Sequence, residues 1–224
     1  RTDTTAVFNL PPNHPFNFAI RAIDYFGNAS VLSEMTTDSV PGHPSHEIIE
    51  NFNDGNVILE SYEDEDIEPN NWTLSTDKTF MNSSYSLQLH GNTWKTQEIS
   101  PHQVENNDMW QIAMFTQQVG EIHGFGVQDS LNTMFYSFSG SEMLDIEEWI
   151  TVYQGEFPNN RWIPIRMPIA DDWYARYDYY PLIEKLIYVN DSDEDETSSF
   201  YFDEIFDITN VVDNLPEVQI EYEI

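Results

Sequence analysis

Cysteine is absent from the 224 residues, which excludes disulfides, thiolate catalysis and cysteine-ligated zinc or iron–sulfur sites. Basic residues are nearly as scarce. Eight Lys and Arg stand against 40 Asp and Glu, a formal net charge of −32. Nucleic-acid backbones and anionic membrane surfaces both repel such a chain, so no nucleic-acid partner is expected. No apolar run approaches the roughly 20 residues that cross a bilayer as a helix, and no membrane insertion is expected either. No helix-period segment of useful length is visible. Nucleophile-elbow, phosphate-loop, kinase and metalloprotease motifs are missing as well. Among 40 carboxylates, pairs at glycosidase spacing arise by chance and identify no acid and base. The reading is therefore a protein that is not an enzyme. Six histidines (His14, His43, His46, His90, His102 and His123) show no paired metal-ligand spacing. His123-Gly124-Phe125-Gly126 reads as close strand packing, because no helix follows it to receive a phosphate.

What the chain has in quantity is aromatic residues: 6 Trp, 12 Tyr and 14 Phe. A disordered acidic chain is poor in these, so this one is expected to fold. Its charge points to cations, whether divalent metals, a saline medium or basic partners, unless it only solvates the surface. The segments 47–52, 57–60, 72–76, 84–90, 109–118, 122–128, 132–138, 148–153, 161–168, 182–189 and 199–208 read as short strands separated by polar turns. Many short strands with turn signals between them indicate an all-β sandwich or jelly roll. Residues 1–40 carry three more strands, at 6–10, 15–24 and 30–34, and 41–46 is a Pro- and Gly-containing linker. After the main unit at 47–210, residues 211–224 read as a link and the first strand of a following domain. Arg1 falls in mid-pattern, as expected of a piece of a longer chain. Four Asn-X-Ser/Thr sequons, at Asn28, Asn71, Asn82 and Asn190, are compatible with export.

Two resemblances follow from particular residues. Leu10-Pro11-Pro12, the strand ending Arg21-Ala22-Ile23-Asp24, and Gly27-Asn28-Ala29-Ser30 resemble the last strands of a fibronectin type III domain. The main unit opens with Ile48-Ile49-Glu50-Asn51-Phe52-Asn53-Asp54-Gly55 and carries Ser83-Ser84-Tyr85-Ser86-Leu87. It closes with Tyr201-Phe202-Asp203-Glu204-Ile205. That order resembles jelly-roll carbohydrate-binding modules. The resemblance implies a jelly-roll β-sandwich, a non-catalytic accessory module of a secreted or cell-surface multidomain protein such as an adhesin, and a structural calcium ion. Its partners would be a polysaccharide or cell-surface glycan and neighbouring modules of the same polypeptide. A structural or adhesive module making protein–protein contacts is the alternative.

The calcium site implied by the resemblance joins the opening and closing strands through Asn51, Asn53 and Asp203, with a backbone carbonyl near Ser84. Hard cations take several oxygens from more than one chain segment. Asn51 and Asn53 stand where the family pattern has acids, and the same residues could instead only hydrogen-bond a neighbouring loop. The acidic runs at 63–68 and 191–196 read mainly as solvated loops. Asp191, Asp193 and Asp195 sit at positions 1, 3 and 5 of an EF-hand-like pattern, but the glycine such a loop needs at position 6 is missing. For the ligand surface, the cluster 172–180 offers Trp173, Tyr174, Arg176, Tyr177 and Tyr179 in what should be a loop. Sugar C–H faces stack on aromatic rings while Asp and Arg bond hydroxyls. Those rings could equally anchor the loop or form an interface between modules.

Overall fold

In the computed structural model the described residues are 15–18, 36–39, 46–142, 148–152, 159–193 and 197–209. The chain divides into two units, Glu47–Thr209 and the flanks Arg1–His46 with Asn210–Ile224. Of the flanks, an antiparallel pair is described, β1 (Pro15–Phe18) and β2 (Thr36–Ser39), with Pro15 opposite Ser39. The fibronectin-like motifs beyond Pro15–Phe18, the expected strands at 6–10 and 30–34, and the segment 211–224 lie outside the described residues.

The unit Glu47–Thr209 is an all-β sandwich of two sheets. The first contains β3 (Glu47–Glu50), β5 (Trp72–Ser75), β6 (Ser86–His90), β8 (Trp110–Gln118), β12 (Trp162–Met167) and β14 (Ser199–Asp207). Their order is β12-β8-β14-β6-β5, and β3 pairs with the far half of β14. The second contains β4 (Glu60–Ser61), β7 (Thr93–Gln103), β9 (Ile122–Gln128), β10 (Thr133–Ser139), β11 (Ile150–Thr151) and β13 (Leu182–Asp191), ordered β11-β10-β9-β13-β7-β4. Side chains alternate between the two faces of a strand, and the inward set is apolar. Leu87, Leu89, Ile112, Met114, Phe200 and Phe202 from the first sheet meet Phe125, Val127, Met134, Tyr136, Phe138, Leu186 and Tyr188 from the second. At the centre the Tyr188 ring lies 5.1 Å from Phe202 and 5.9 Å from both Phe52 and Phe125.

Two elements depart from the sequence reading. The strand β7 is absent from it, although it is the longest of the sandwich at 11 residues. Its inward side chains include Lys95 and Gln97, so no apolar face marks it. Lys95 is buried in an ion pair with Asp66 and donates to the Pro69 carbonyl at 2.8 Å. Gln97 accepts from Tyr188 Oη at 2.7 Å and donates to Glu50. Polar groups buried and paired in this way cost little, and they hide the strand's periodicity. Asp66 likewise corrects the reading of 63–68 as merely a solvated run.

The second departure is a helix, α1 (Ile169–Tyr177), where a loop of aromatics is expected. Pro168 precedes it, Asp171 and Asp172 lie in its first turn and Arg176 in its last, which complements the helix dipole. It ends on Asp178 in the left-handed conformation, φ 62°. Ile169, Ala170 and Trp173 form its buried stripe, at a spacing that a helix requires. His123 is buried inside the sandwich and stacks on Phe200 at 4.5 Å. Burial lowers its pKa to about 3, so it is neutral, and its Nε2 accepts from Gly120 N at 2.9 Å. No helix among the described residues is long and apolar enough to cross a membrane.

Candidate functional site

The outward face of the second sheet follows from its register. Val189 lies opposite Trp94 on one side and Gly124 on the other, and Gly124 lies opposite Ser137. One step along, Ile187 lies opposite Thr96 and Gly126, and Gly126 opposite Phe135. Val189, Ile187, Gly124 and Gly126 therefore form a floor with little relief. Upon it rests a second apolar cluster, separate from the core, made of Trp94, Ile187 and Val189 with Tyr62, Phe135 and Trp149 packed against them.

The four rings form one continuous layer. Phe135 and Trp149 stack nearly parallel, 9° apart at 4.6 Å. Trp94 meets Trp149 edge-on at 5.7 Å, and Tyr62 lies 5.9 Å from both Trp94 and Phe135. The glycines make this layer possible. A Cβ on Gly124 would fall 2.5 Å from Trp149 Cζ3, and one on Gly126 would fall 2.7 Å from the Phe135 ring. Trp94 is only 7% exposed, whereas Tyr62, Phe135 and Trp149 are half-buried and present part of their surface to solvent.

Polar groups border the layer along the same face. Thr96 lies opposite Glu60 and beside Ile187, and its Oγ1 is buried without a hydrogen-bond partner. Lys185 faces Glu98 at 3.7 Å and lies opposite Gln128 in the strand register. Burial and the nearby Glu65 carboxylate raise the pKa of Tyr62, so its hydroxyl stays protonated. A strip of ring faces and edges flanked by carboxylate, amide, ammonium and hydroxyl groups can hold a flat, partly apolar ligand bearing hydroxyls. Few, well-placed polar groups beside an apolar surface are what orient such a ligand. Sequence reasoning missed this face because Trp94 belongs to the unrecognised β7. The readable signal was Gly124 and Gly126, two residues apart and so on one side of a strand.

The expected ligand cluster at 172–180 is placed differently. Trp173 is fully buried and packs on Tyr177 at 4.9 Å and Tyr179 at 6.1 Å. Tyr177 Oη donates to the Thr133 carbonyl at 2.6 Å, and Tyr179 Oη to Asp129 Oδ2 at 2.5 Å. Arg176 donates to the Glu148 carbonyl. Tyr174 is the exposed ring, at 46%, with Tyr180 5.1 Å away. Four of these five side chains thus tie α1 to the sandwich. The open platform expected here is corrected to an anchored helix, because the same rings satisfy a helical stripe.

The residues expected to bind calcium do come together. Asp203 points out of the first sheet beneath the 76–84 loop and is fully buried. Its Oδ2 accepts from Phe80 N at 2.8 Å, and its Oδ1 from Glu204 N at 2.8 Å and Ser83 Oγ at 3.0 Å. Around that one hydroxyl also lie Asn53 Oδ1 at 3.0 Å, the Tyr85 carbonyl at 2.8 Å and the Asn51 carbonyl at 3.5 Å. A hydroxyl carries a single hydrogen, so four acceptors exceed what Ser83 can satisfy. Asp203 has no ion-pair partner among the described residues, and burial raises its pKa to about 6. This surplus of oxygens fits a hard cation. Two details differ from expectation. The Asn51 side chain accepts from Asn53 N at 3.1 Å, so Asn51 offers its carbonyl, and Ser84 gives its N–H to Asn53 Oδ1 at 2.5 Å.

No protein-family model and no curated protein matches the chain. Solved structures similar to it include a carbohydrate-binding module of the β-sandwich superfamily, at 14% identity and TM-score 0.43 over 86% of this chain and 73% of that one. The family 11 carbohydrate-binding module of Clostridium thermocellum, solved with a β-1,3-1,4-mixed-linked tetrasaccharide, is similar at 15% identity and TM-score 0.41 over 73% of this chain and 95% of that one. SGBP-B from a xyloglucan utilization locus of Bacteroides uniformis is similar at 11% and 0.43, and the match covers 83% of this chain and 60% of that one. At this distance the likenesses bear on no individual site residue.

Proposed function

We propose that the unit Glu47–Thr209 is a non-catalytic carbohydrate-binding module and that a polysaccharide chain lies across the outward face of its second sheet. The observation that carries this reading is the aromatic layer of Tyr62, Trp94, Phe135 and Trp149 over a glycine floor, with polar side chains beside it. Aromatic rings with polar neighbours suit a ligand that is apolar on its C–H faces and hydrogen-bonding at its edges. Calcium belongs to the same proposal as a structural ion. Asp203, Asn53 and the carbonyls of Asn51 and Tyr85, in the loop that includes Ser84, would hold it. The ion would neutralise the buried Asp203 carboxylate and tie the opening segment to the closing strand. The fibronectin-like motifs in residues 1–40 and the four sequons favour a secreted or cell-surface multidomain protein.

The test is a glycan array followed by affinity electrophoresis of the full chain through soluble polysaccharides. Retention of the native chain, and its loss in Trp149→Ala with the fold intact by circular dichroism, is the expected outcome. A flat array, or retention that Trp149→Ala leaves unchanged, contradicts the proposal. The flat array would favour a structural or adhesive module instead.

A further inference from the structure

At the end of the second sheet β13 runs out at Asp191, beside the start of β9. Glu121, Asp191 and Asp193 each bring a carboxylate oxygen within 4.8 Å of the others. Backbone pairing holds them there. Glu121 N donates to the Asp191 carbonyl at 2.9 Å, and Asp193 N to Glu121 Oε2 at 2.6 Å. Among the described residues none of the three pairs with a Lys or Arg. Three carboxylates this close repel one another, and only their geometry holds the charges together.

A separate observation points to a ligand. Asn92, from the turn between β6 and β7, is only 8% exposed. Its Nδ2 donates to Asp193 Oδ1, so the amide lies directly against the cluster. That end, Oδ1, is buried and has no hydrogen-bond partner. A buried amide oxygen without a donor loses its hydration for nothing in return. A cation among the three carboxylates would supply the missing partner.

We propose that Glu121, Asp191, Asp193 and the side-chain oxygen of Asn92 form a divalent-cation site of the calcium class. All donors are oxygens and they come from three chain segments, as a hard cation of this size requires. This set replaces the EF-hand-like reading of 191–196. Its first two aspartates are used, but the third segment of the site is Glu121, distant in sequence, and residues 194–196 lie outside the described residues. The site is distinct from that at Asp203, which sits on the other sheet. Burial, with Asp193, Glu121 and Glu65, raises the Asp191 pKa to about 6 against a smaller opposing effect of the neighbouring Trp94. The site therefore borders the aromatic layer.

Calorimetric titration of the full chain with Ca²⁺ tests this. The native chain is expected to bind one equivalent that the double variant E121Q/D193N loses and that Asp203→Asn retains. Both altered residues of the double variant are solvent-accessible, and circular dichroism checks that its fold is intact. Asn92→Ala, which keeps all three carboxylates, is expected to weaken the same equivalent about tenfold or more. Equal stoichiometry in the native chain and E121Q/D193N overturns the proposal, as does a native chain that binds no Ca²⁺. An unchanged affinity in Asn92→Ala removes Asn92 from the site and overturns the four-ligand set.

Discussion

Gly124 shows how one missing methyl group shapes a surface. Its outward Cβ would lie 2.5 Å from the Trp149 ring and 2.7 Å from the Tyr136 carbonyl, so any side chain there lifts the indole off the sheet. Gly124→Ala is expected to weaken glycan retention while costing about 1–3 kcal/mol of stability, the usual range for overpacking. Chemical denaturation and affinity electrophoresis of the one variant check both halves. His102 acts through charge instead. It lies 3.5 Å from Glu47 and 3.3 Å from Asp207, linking β3, β7 and β14. The adjacent Asp207 carboxylate, against some loss from burial, raises the His102 pKa, and that of Asp207 is lowered. A raised folded pKa binds a proton more tightly in the folded chain. The stabilisation is therefore complete below the ordinary histidine value of 6.5 and fades as pH rises through the folded value. The melting temperature of the native chain should exceed that of His102→Gln more at pH 6 than at pH 8. Equal differences at both pH values would contradict this.

At the scale of elements, α1 is the clearest case of a segment whose chemistry was readable and whose shape was not. Pro168, the acidic first turn and Arg176 were all in the sequence, yet the density of rings between them suggested an exposed loop. Trp173 in fact fills the space under the helix, with Tyr177 and Tyr179 bonded to β10 and its preceding turn. Trp173→Ala should cost about 3–5 kcal/mol, as for large buried aromatics, and leave glycan retention by the folded fraction unchanged. Denaturant titration gives the first value and electrophoresis below the transition the second. Most strands were legible because their inward positions are apolar, as in Phe200 and Phe202 or Leu87 and Leu89. The strand β7 was not, since Lys95 and Gln97 face inward and are satisfied by Ser61, Asp66, Pro69, Glu50 and Tyr188, residues remote in sequence. The ligand face was hidden for the same reason. It is assembled from Tyr62, Trp94, Phe135 and Trp149, and only the register brings them side by side.

For the molecule as a whole, the charge of −32 is more than a property of the surface. Several carboxylates are drawn inside: Asp66 meets Lys95, Asp207 meets His102, and Asp203 is bonded only to neutral donors. Among the described residues, Asp203 and the group at Glu121, Asp191 and Asp193 are two places where negative charge has no basic side chain to answer it. The two regions lie on different sheets, and neither includes the aromatic layer, although the second borders it at Trp94. In this account ion binding bears on how the sandwich is held and sugar binding on what it holds. The central claim concerns the second. Affinity electrophoresis of native and Trp149→Ala chains through soluble polysaccharide tests it most directly. The account predicts strong retardation of the native chain and free migration of the variant. Equal mobility of the two in every polysaccharide would contradict it.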